Sequence, residues 1–177
     1  GFEPVGGPMW WNSTPTRIMD RDLDFSIDLD PETEQVYYFS VNMRFIDTTR
    51  TYASEFVQMA LLDSSLSLKL VMGKGSNDSF YVERAGGPAS TSTAMTTRSG
   101  ETYLMVLKLV ARNDGNDEIH AIYYGSGEDR IIYQPAIEDW DVSLITDLTG
   151  QIDRIRFNNG AGNEQLIVDE IRIGESW

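Results

Sequence analysis

The side chains that could do chemistry in this chain are carboxylates: 28 Asp and Glu stand against 14 Lys and Arg, one histidine and no cysteine. Without a thiol there is no disulfide, no thiolate metal site and no cysteine nucleophile. Acid-rich chains suit hard cations such as calcium, which takes six to eight oxygens. The ladder Asp20, Asp22, Asp24, Asp28 and Asp30 looks like a calcium loop. An EF-hand, however, needs glycine at its sixth position and glutamate at its twelfth, and counting from Asp20 these are Phe25 and Pro31. The ladder therefore reads as a solvated strand face. The closing run "LIVDEIRIGESW" is different. A period of two places Ile167, Asp169, Ile171 and Ile173 on one face, and Val168, Glu170 and Arg172 on the other. Asp169 would then be buried and in need of a cation or several donors. His120, between Ile119 and Ala121, would face an open sheet, where a lone histidine is more often a surface or packing residue than a base. Ser, His and Asp are all present, but no nucleophile elbow is.

The elements that must hold these groups are strands. No segment sustains a helical apolar period, whereas period-two runs recur between turn signals. "DLDFSIDLD" alternates Leu23, Phe25, Ile27 and Leu29 with acids, and "VYYFSVNMRFID" puts Tyr37, Phe39, Val41, Met43 and Phe45 on a core face. "EFVQMALLD", "LSLKLVMGKG" and "SFYVERAGG" are three further strands. The small, polar stretch 86–100 reads as a loop. "TYLMVLKLVAR" and "DEIHAIYYG" predict a hairpin about Asp114-Gly115, and "QIDRIRFNNGAGNEQLIVDEIRIG" a second one turning at "NNGAGN". Between them, "YQPAIEDWDVSLITDLTG" reads as a loop or one helical turn. About ten short antiparallel strands point to an all-β sandwich of jelly-roll type, one domain over residues 1–177. A formal charge of −14 repels phosphate backbones and anionic lipid, which argues against nucleic acid and membrane surfaces as partners. No apolar run approaches the ~20 residues of a membrane span.

"LKLVMGKG", "ETYLMVLKLVARNDGNDEIHAIYYG" and "LTGQIDRIRFNNGAG…LIVDEIRIGESW" together resemble the concanavalin-A-like (LamG-like) sandwich domains of large secreted or surface proteins of bacteria. In that family a "DEIRIG" ending closed by tryptophan and an opening like "GFEP" bracket the domain. The resemblance implies a glycan-binding or adhesion module, secreted or at the cell surface, cut from a longer protein with other domains. It also implies a structural calcium. Related jelly-roll glucanases tie their first and last strands with one, and Glu3 and Asp169 match the positions of its carboxylate ligands. The glycine-rich, tryptophan-containing segment usual after the opening is short here, "VGGPMWWNSTP".

Glycosidases of this fold carry an E-x-D-x-x-E string whose carboxylates stand about 5–6 Å apart in retaining enzymes. The chain has no such string; "EDWD" at 138–141 is the closest acidic cluster. Lyases of the fold show a Q-[IV]-H strand, and "QIDRIR" offers Asp153 in place of the histidine. A hydrolase or lyase therefore ranks last. Non-catalytic binding of a polysaccharide on the concave sheet ranks first, and an adhesion, assembly or spacer role with protein partners second. If the Phe39 face is core, then Tyr38, Ser40, Asn42 and Arg44 form an outward row. Tyr124 and His120 line a neighbouring strand, and Lys108 and Arg112 another. Tyrosine faces would stack on sugar rings while Asn42, Arg44, His120 and Lys108 reach hydroxyl pairs. The competing reading has Tyr38 and Tyr124 packed beneath a covering loop. Arg154 and Arg156 are expected to pair across strands with Glu170 and the neighbours of Arg172.

Overall fold

Alternation produces strands of two stacked antiparallel sheets. The structure, a computed structural model, describes residues 3–4, 9–11, 18–47, 56–75, 79–87, 89–125, 140–160 and 164–176, with backbone alone for 3–4, 9–11, 47, 89–96 and 164–165. In chain order the strands are β1 (Glu3–Pro4), β2 (Met9–Trp11), β3 (Ile18–Asp28), β4 (Gln35–Asp47), β5 (Val57–Leu62), β6 (Leu68–Lys74) and β7 (Ser79–Arg84). They continue with β8 (Ala89–Thr96), β9 (Thr102–Ala111), β10 (Asp117–Gly125), β11 (Val142–Thr146), β12 (Gln151–Asn159) and β13 (Glu164–Gly174). A seven-stranded sheet runs β1-β13-β4-β9-β10-β11, with β2 also on β13; a six-stranded sheet runs β3-β12-β5-β6-β7-β8. Among the described residues no helix is long and apolar enough to cross a membrane.

The core lies between the sheets. From β4 it takes Phe39, Val41, Met43 and Phe45, the face that alternation predicts. The neighbouring strands β9 and β10 add Met105, Leu107, Leu109, Ile119 and Tyr123, and the other sheet adds Met59, Leu61, Met72, Phe80 and Phe157. Phe80 stacks on Tyr123 with ring centroids 4.1 Å apart, and Phe45 and Tyr103 extend the aromatic cluster. The β9–β10 hairpin turns as expected, with Gly115 at φ 74°, a conformation glycine adopts without Cβ strain. Gly73 matters for closeness instead. A Cβ there would sit 2.2 Å from the Val57 carbonyl oxygen, so only glycine lets β5 and β6 approach at that point.

Four expectations need correction. β12 and β13 do not form a hairpin; they lie in different sheets, because the chain crosses the sandwich between them. The stretch 86–100 holds an edge strand, β8, whose backbone pairs with β7. Its Ser and Thr carry no apolar alternation, so nothing in hydrophobicity marks it. β11 lies within the presumed loop or helical turn. Finally, Arg154 and Arg156 pair with Asp22 and Asp20 on β3, not with β13.

The closing strand also departs from simple alternation. The β13–β4 register shifts between Asp169 and Arg172, and Glu170 takes φ 51°, left-handed for a non-glycine residue. This bulge inserts an extra residue and swaps faces. Leu166 and Val168 are buried before it, Ile171 and Ile173 after it, while Ile167 and Asp169 are only half-buried. The problem of a buried Asp169 therefore dissolves.

Candidate binding face

Even-numbered residues of β4, β9 and β10 point away from the core and build the outer face of the seven-stranded sheet. Register places them in rows. Tyr38, Lys108, His120 and Ser143 are successive neighbours across β4, β9, β10 and β11. Next to this row come Ser40, Val106 and Ile122, and then Asn42, Leu104 and Tyr124. Arg172 and Asp169 on β13 flank Ser40 and Asn42, and Arg44 lies opposite Thr102. The row assignments expected from alternation thus hold for all six proposed ligand-binding residues.

Exposure does not follow from facing outward. Tyr38 is 4% exposed, Tyr124 2% and His120 6%, and the two tyrosines join Val106, Ile122 and Trp140 in a second buried cluster. Val36 and Leu104 pack against it. Neither tyrosine presents an open ring to a sugar, so the expected stacking platforms are packing residues here. The physical reason is the apolar content of the same face: Val106, Ile122 and Leu104 must be covered once they point outward. "LMVLKLV" is a near-continuous apolar run, the pattern of a strand buried on both faces, and it carried the signal. Of the stretch 86–100, considered as the cover, the β8 backbone belongs to the other sheet, and none of its described side chains joins that cluster. The chain from 126 to 139, which leads into Trp140 and contains Glu138 and Asp139 of the acidic cluster, lies outside the described residues.

Among the described residues, what remains accessible is mostly polar, exposed Ile145 apart, and lies at two ends. At one end stand exposed Arg44 and half-buried Asn42, Asp169 and Arg172. Arg172 donates from Nη2 to Glu170 at 3.0 Å, while its Nε is buried without an acceptor among the described residues. At the other end a connected string begins at Ser143, whose hydroxyl lies 2.8 Å from His120 Nδ1. His120 Nε2 lies 3.2 Å from one Glu118 oxygen. The other Glu118 oxygen accepts from Arg112 at 2.6 Å, and Arg112 Nε donates to Glu34 at 2.7 Å. Arg112 also reaches the Asn116 carbonyl at 3.0 Å. The Arg112 hydrogen bond outweighs the opposing effect of burial and holds the Glu118 carboxyl below the usual range. Trp140 lies over His120 with ring centroids 5.7 Å apart. Half-buried Lys108 stands between Tyr38 and His120.

Asp117 anchors this end from beneath. Fully buried, it accepts from the amides of Arg112 at 2.8 Å and Leu148 at 2.6 Å, joining the β9–β10 turn to the segment after β11. Burial pushes its carboxyl up, against the pull of the two amides. Asp141, at the start of β11, accepts from the Tyr123 amide at 2.8 Å. The string is thus fixed from several sides, as a site that orients hydroxyl groups needs to be.

Ser143, His120 and Glu118 are the residue types of an acyl-transfer triad. Arg112 already compensates the Glu118 charge, which acyl transfer would direct at the imidazolium instead. As arranged, the string presents fixed donors and acceptors. The sequence marked His120 but not its partners. Glu118 two residues away was legible from strand period; Ser143 is 23 residues distant, and its placement depends on β11.

For calcium, Asp169 accepts the Glu170 amide at 2.8 Å and keeps its second oxygen for other partners. Glu3 pairs by backbone with Ile173, four positions along β13, and its side chain lies outside the described atoms. Among the described residues no group of three or more acids or histidines could hold a metal ion. Among the described residues Asp169 offers one carboxylate oxygen, fewer ligands than the six to eight oxygens that calcium takes.

No family model matches the chain, and no curated protein matches it in sequence. Solved structures do match in fold. A sialidase aligns with a TM-score of 0.58 at 11% identity over 96% of this chain, which spans only 15% of that much longer protein. An endo-β-1,4-glucuronan lyase from the fungus Trichoderma reesei gives 0.59 at 11% identity, covering 96% of this chain and 80% of the lyase. Peanut lectin, in complex with a nine-residue peptide, gives 0.58 at 8% identity, covering 97% and 87%. At such identities the likeness is one of fold: the chain is an all-β antiparallel sandwich of the jelly-roll architecture found in lectins and in glycan-active enzymes.

Proposed function

We propose that this chain is a non-catalytic carbohydrate-binding module of the concanavalin-A-like (LamG-like) group, secreted or displayed at a cell surface. It recognises a polysaccharide on the outer face of its seven-stranded sheet. The observation that carries this reading is the fixed string Ser143–His120–Glu118–Arg112 beside Trp140 and Lys108. Sugar recognition needs pre-oriented donor and acceptor pairs next to apolar surface, and this end of the face has both. Lys108, His120, Asn42 and Arg44 remain ligand-contacting residues in this proposal, whereas Tyr38 and Tyr124 support them from below. Calcium, held in part by Asp169 and Glu3, would fasten the chain ends and take no part in sugar contact.

The test is affinity electrophoresis against a panel of neutral polysaccharides, together with Ser143→Ala and Lys108→Ala. Each substitution is expected to weaken binding about tenfold, the effect of one hydrogen bond to a fixed partner, and to leave Tm nearly unchanged. Release of reducing ends or unsaturated uronates by the wild type would replace the non-catalytic reading with an enzymatic one. A second reading, contact with a protein partner, is favoured by one feature: Ile145 on edge strand β11 is 68% exposed, directly beside Glu118 in register. Such a partner would protect β11 amides from exchange without any glycan present.

A further inference from the structure

A cleft of about 150 Å³ opens where the end of β11 meets β6 and β7, away from the outer face. It is lined by Leu68, Lys69, Arg84, Asp147, Leu148 and Thr149, together with Ala85. Two cations in one small cleft are unusual on a chain of charge −14. Their placement is built rather than incidental. Leu61 pairs with Leu70 and Leu62 with Leu68, so Lys69 is the extra residue of a bulge in β6. Bulges re-aim side chains, and this one brings the Lys69 ammonium against Gly150. A Cβ at Gly150 would lie 3.3 Å from Lys69 Nζ. Arg84 pairs in register with the core residue Leu70, so it points toward the space between the sheets, where Nη1 donates to the Thr146 hydroxyl at 3.0 Å. Its stem runs past Gly87, where a Cβ would come within 3.3 Å of Cδ. Two glycines thus leave room for the two cations.

The charges are not equivalent. Lys69 has Asp63 at 3.4 Å, and Asp63, held by Ser65 and Ser67, titrates only at about 2. Arg84 has no carboxylate partner among the described residues. A guanidinium carries five N–H donors in a fork that matches a carboxylate, and among the described residues one of them is used here. Beside it Asp147 and Thr149 offer an acceptor and a hydroxyl, which suit neighbouring hydroxyls of a ligand and oppose a second negative charge. The volume is below the ~300 Å³ of drug-sized pockets and suits one sugar unit or less. We infer that this cleft binds the carboxylate of a single uronic-acid unit, with Arg84 as its main contact, Lys69 supporting, and Asp147 and Thr149 on ring hydroxyls. A densely charged polyanion is disfavoured, because the chain as a whole carries a charge of −14.

The experiment is an NMR titration of the whole chain with sodium glucuronate, glucose and sodium acetate at equal ionic strength. Glucuronate is expected to shift the resonances of Lys69, Arg84 and Thr149 saturably, acetate to bind the same place about tenfold more weakly or worse, and glucose to leave it unmoved. Arg84→Gln should weaken glucuronate about tenfold or more, and Lys69→Met by less, both with a native spectrum elsewhere. Arg84→Lys, which keeps the charge and loses the fork, should behave closer to the glutamine variant than to the wild type. The inference is overturned by no response to glucuronate, by an equal response to glucose or acetate, or by glucuronate binding that Arg84→Gln leaves intact. Lys108, His120 and Ser143 report separately on the outer face, so failure at either site is read independently of the other.

Discussion

The outer faces of the two sheets are made of similar residue types and differ in what they cover. On the six-stranded sheet, Arg156 meets Asp20 at 2.6 and 2.8 Å, and Arg154 meets Asp22 at 2.6 Å. The two arginines are only half-buried in these pairs and lie in register beside a small buried apolar group of Ala60, Leu62 and Val71. On the seven-stranded sheet, the charged string ends against a buried cluster of two tyrosines, a tryptophan and aliphatic side chains. The first face covers a small aliphatic group with Arg-Asp pairs, whereas the second has a larger aromatic floor and a polar edge. Among the described residues both faces set fixed polar groups beside buried apolar atoms, but only the second does so over an aromatic cluster with a histidine and a serine in the string.

This contrast is broken most severely by truncating the floor. Tyr124→Ala removes a buried aromatic and should cost about 3–4 kcal/mol, lowering Tm by roughly 10 °C. Were Tyr124 an open stacking platform, Tm would hardly move. A smaller effect belongs to Asp117→Asn, which keeps the shape but cannot accept from both amides with carboxylate strength. About 1–3 kcal/mol in urea unfolding is expected. That loss should grow at low pH and be smaller near neutrality, because the folded-state carboxyl titrates above its unfolded value and Asp117 contributes most when protonated. Asp63 works the other way. Its pKa falls from 3.8 to about 2 on folding, so the stability it adds is present above pH 4 and lost as pH falls toward 2. Asp63→Asn should flatten that part of a Tm-versus-pH curve. On the outer face of the six-stranded sheet Arg156→Ala should cost about 1 kcal/mol, an effect diminished by salt. Calcium gives a separate check, since a chelator should lower Tm if Asp169 and Glu3 share an ion, and leave it unchanged if they do not.

Much of the fold was legible because alternation is a direct imprint of a two-layer sandwich. Phe39, Val41, Met43 and Phe45 declared the core, and Asp114-Gly115 declared a hairpin. The illegible parts share one cause: they depend on contacts distant in sequence. Nothing local announces that Glu170 adopts a left-handed conformation, since glycine or asparagine would be the usual marker. Nothing in "QIDRIRF" says that its partner is β3 rather than β13. At the candidate site, alternation named the side of the sheet for Tyr38, His120 and Tyr124 correctly but left open what covers them. The apolar outward residues Leu104, Val106 and Ile122 held that information, and they make burial of their tyrosine neighbours the better expectation.

The central claim, that the polar edge of the seven-stranded sheet is the glycan-binding face, is tested most directly by mapping amide shifts during titration with a neutral oligosaccharide that the chain retains. The account predicts that the largest shifts fall on Lys108, Glu118, His120 and Ser143, and that Ser143→Ala weakens binding without changing Tm. Shifts confined to the Asp20–Arg156 face, with Lys108, His120 and Ser143 unmoved, would contradict it.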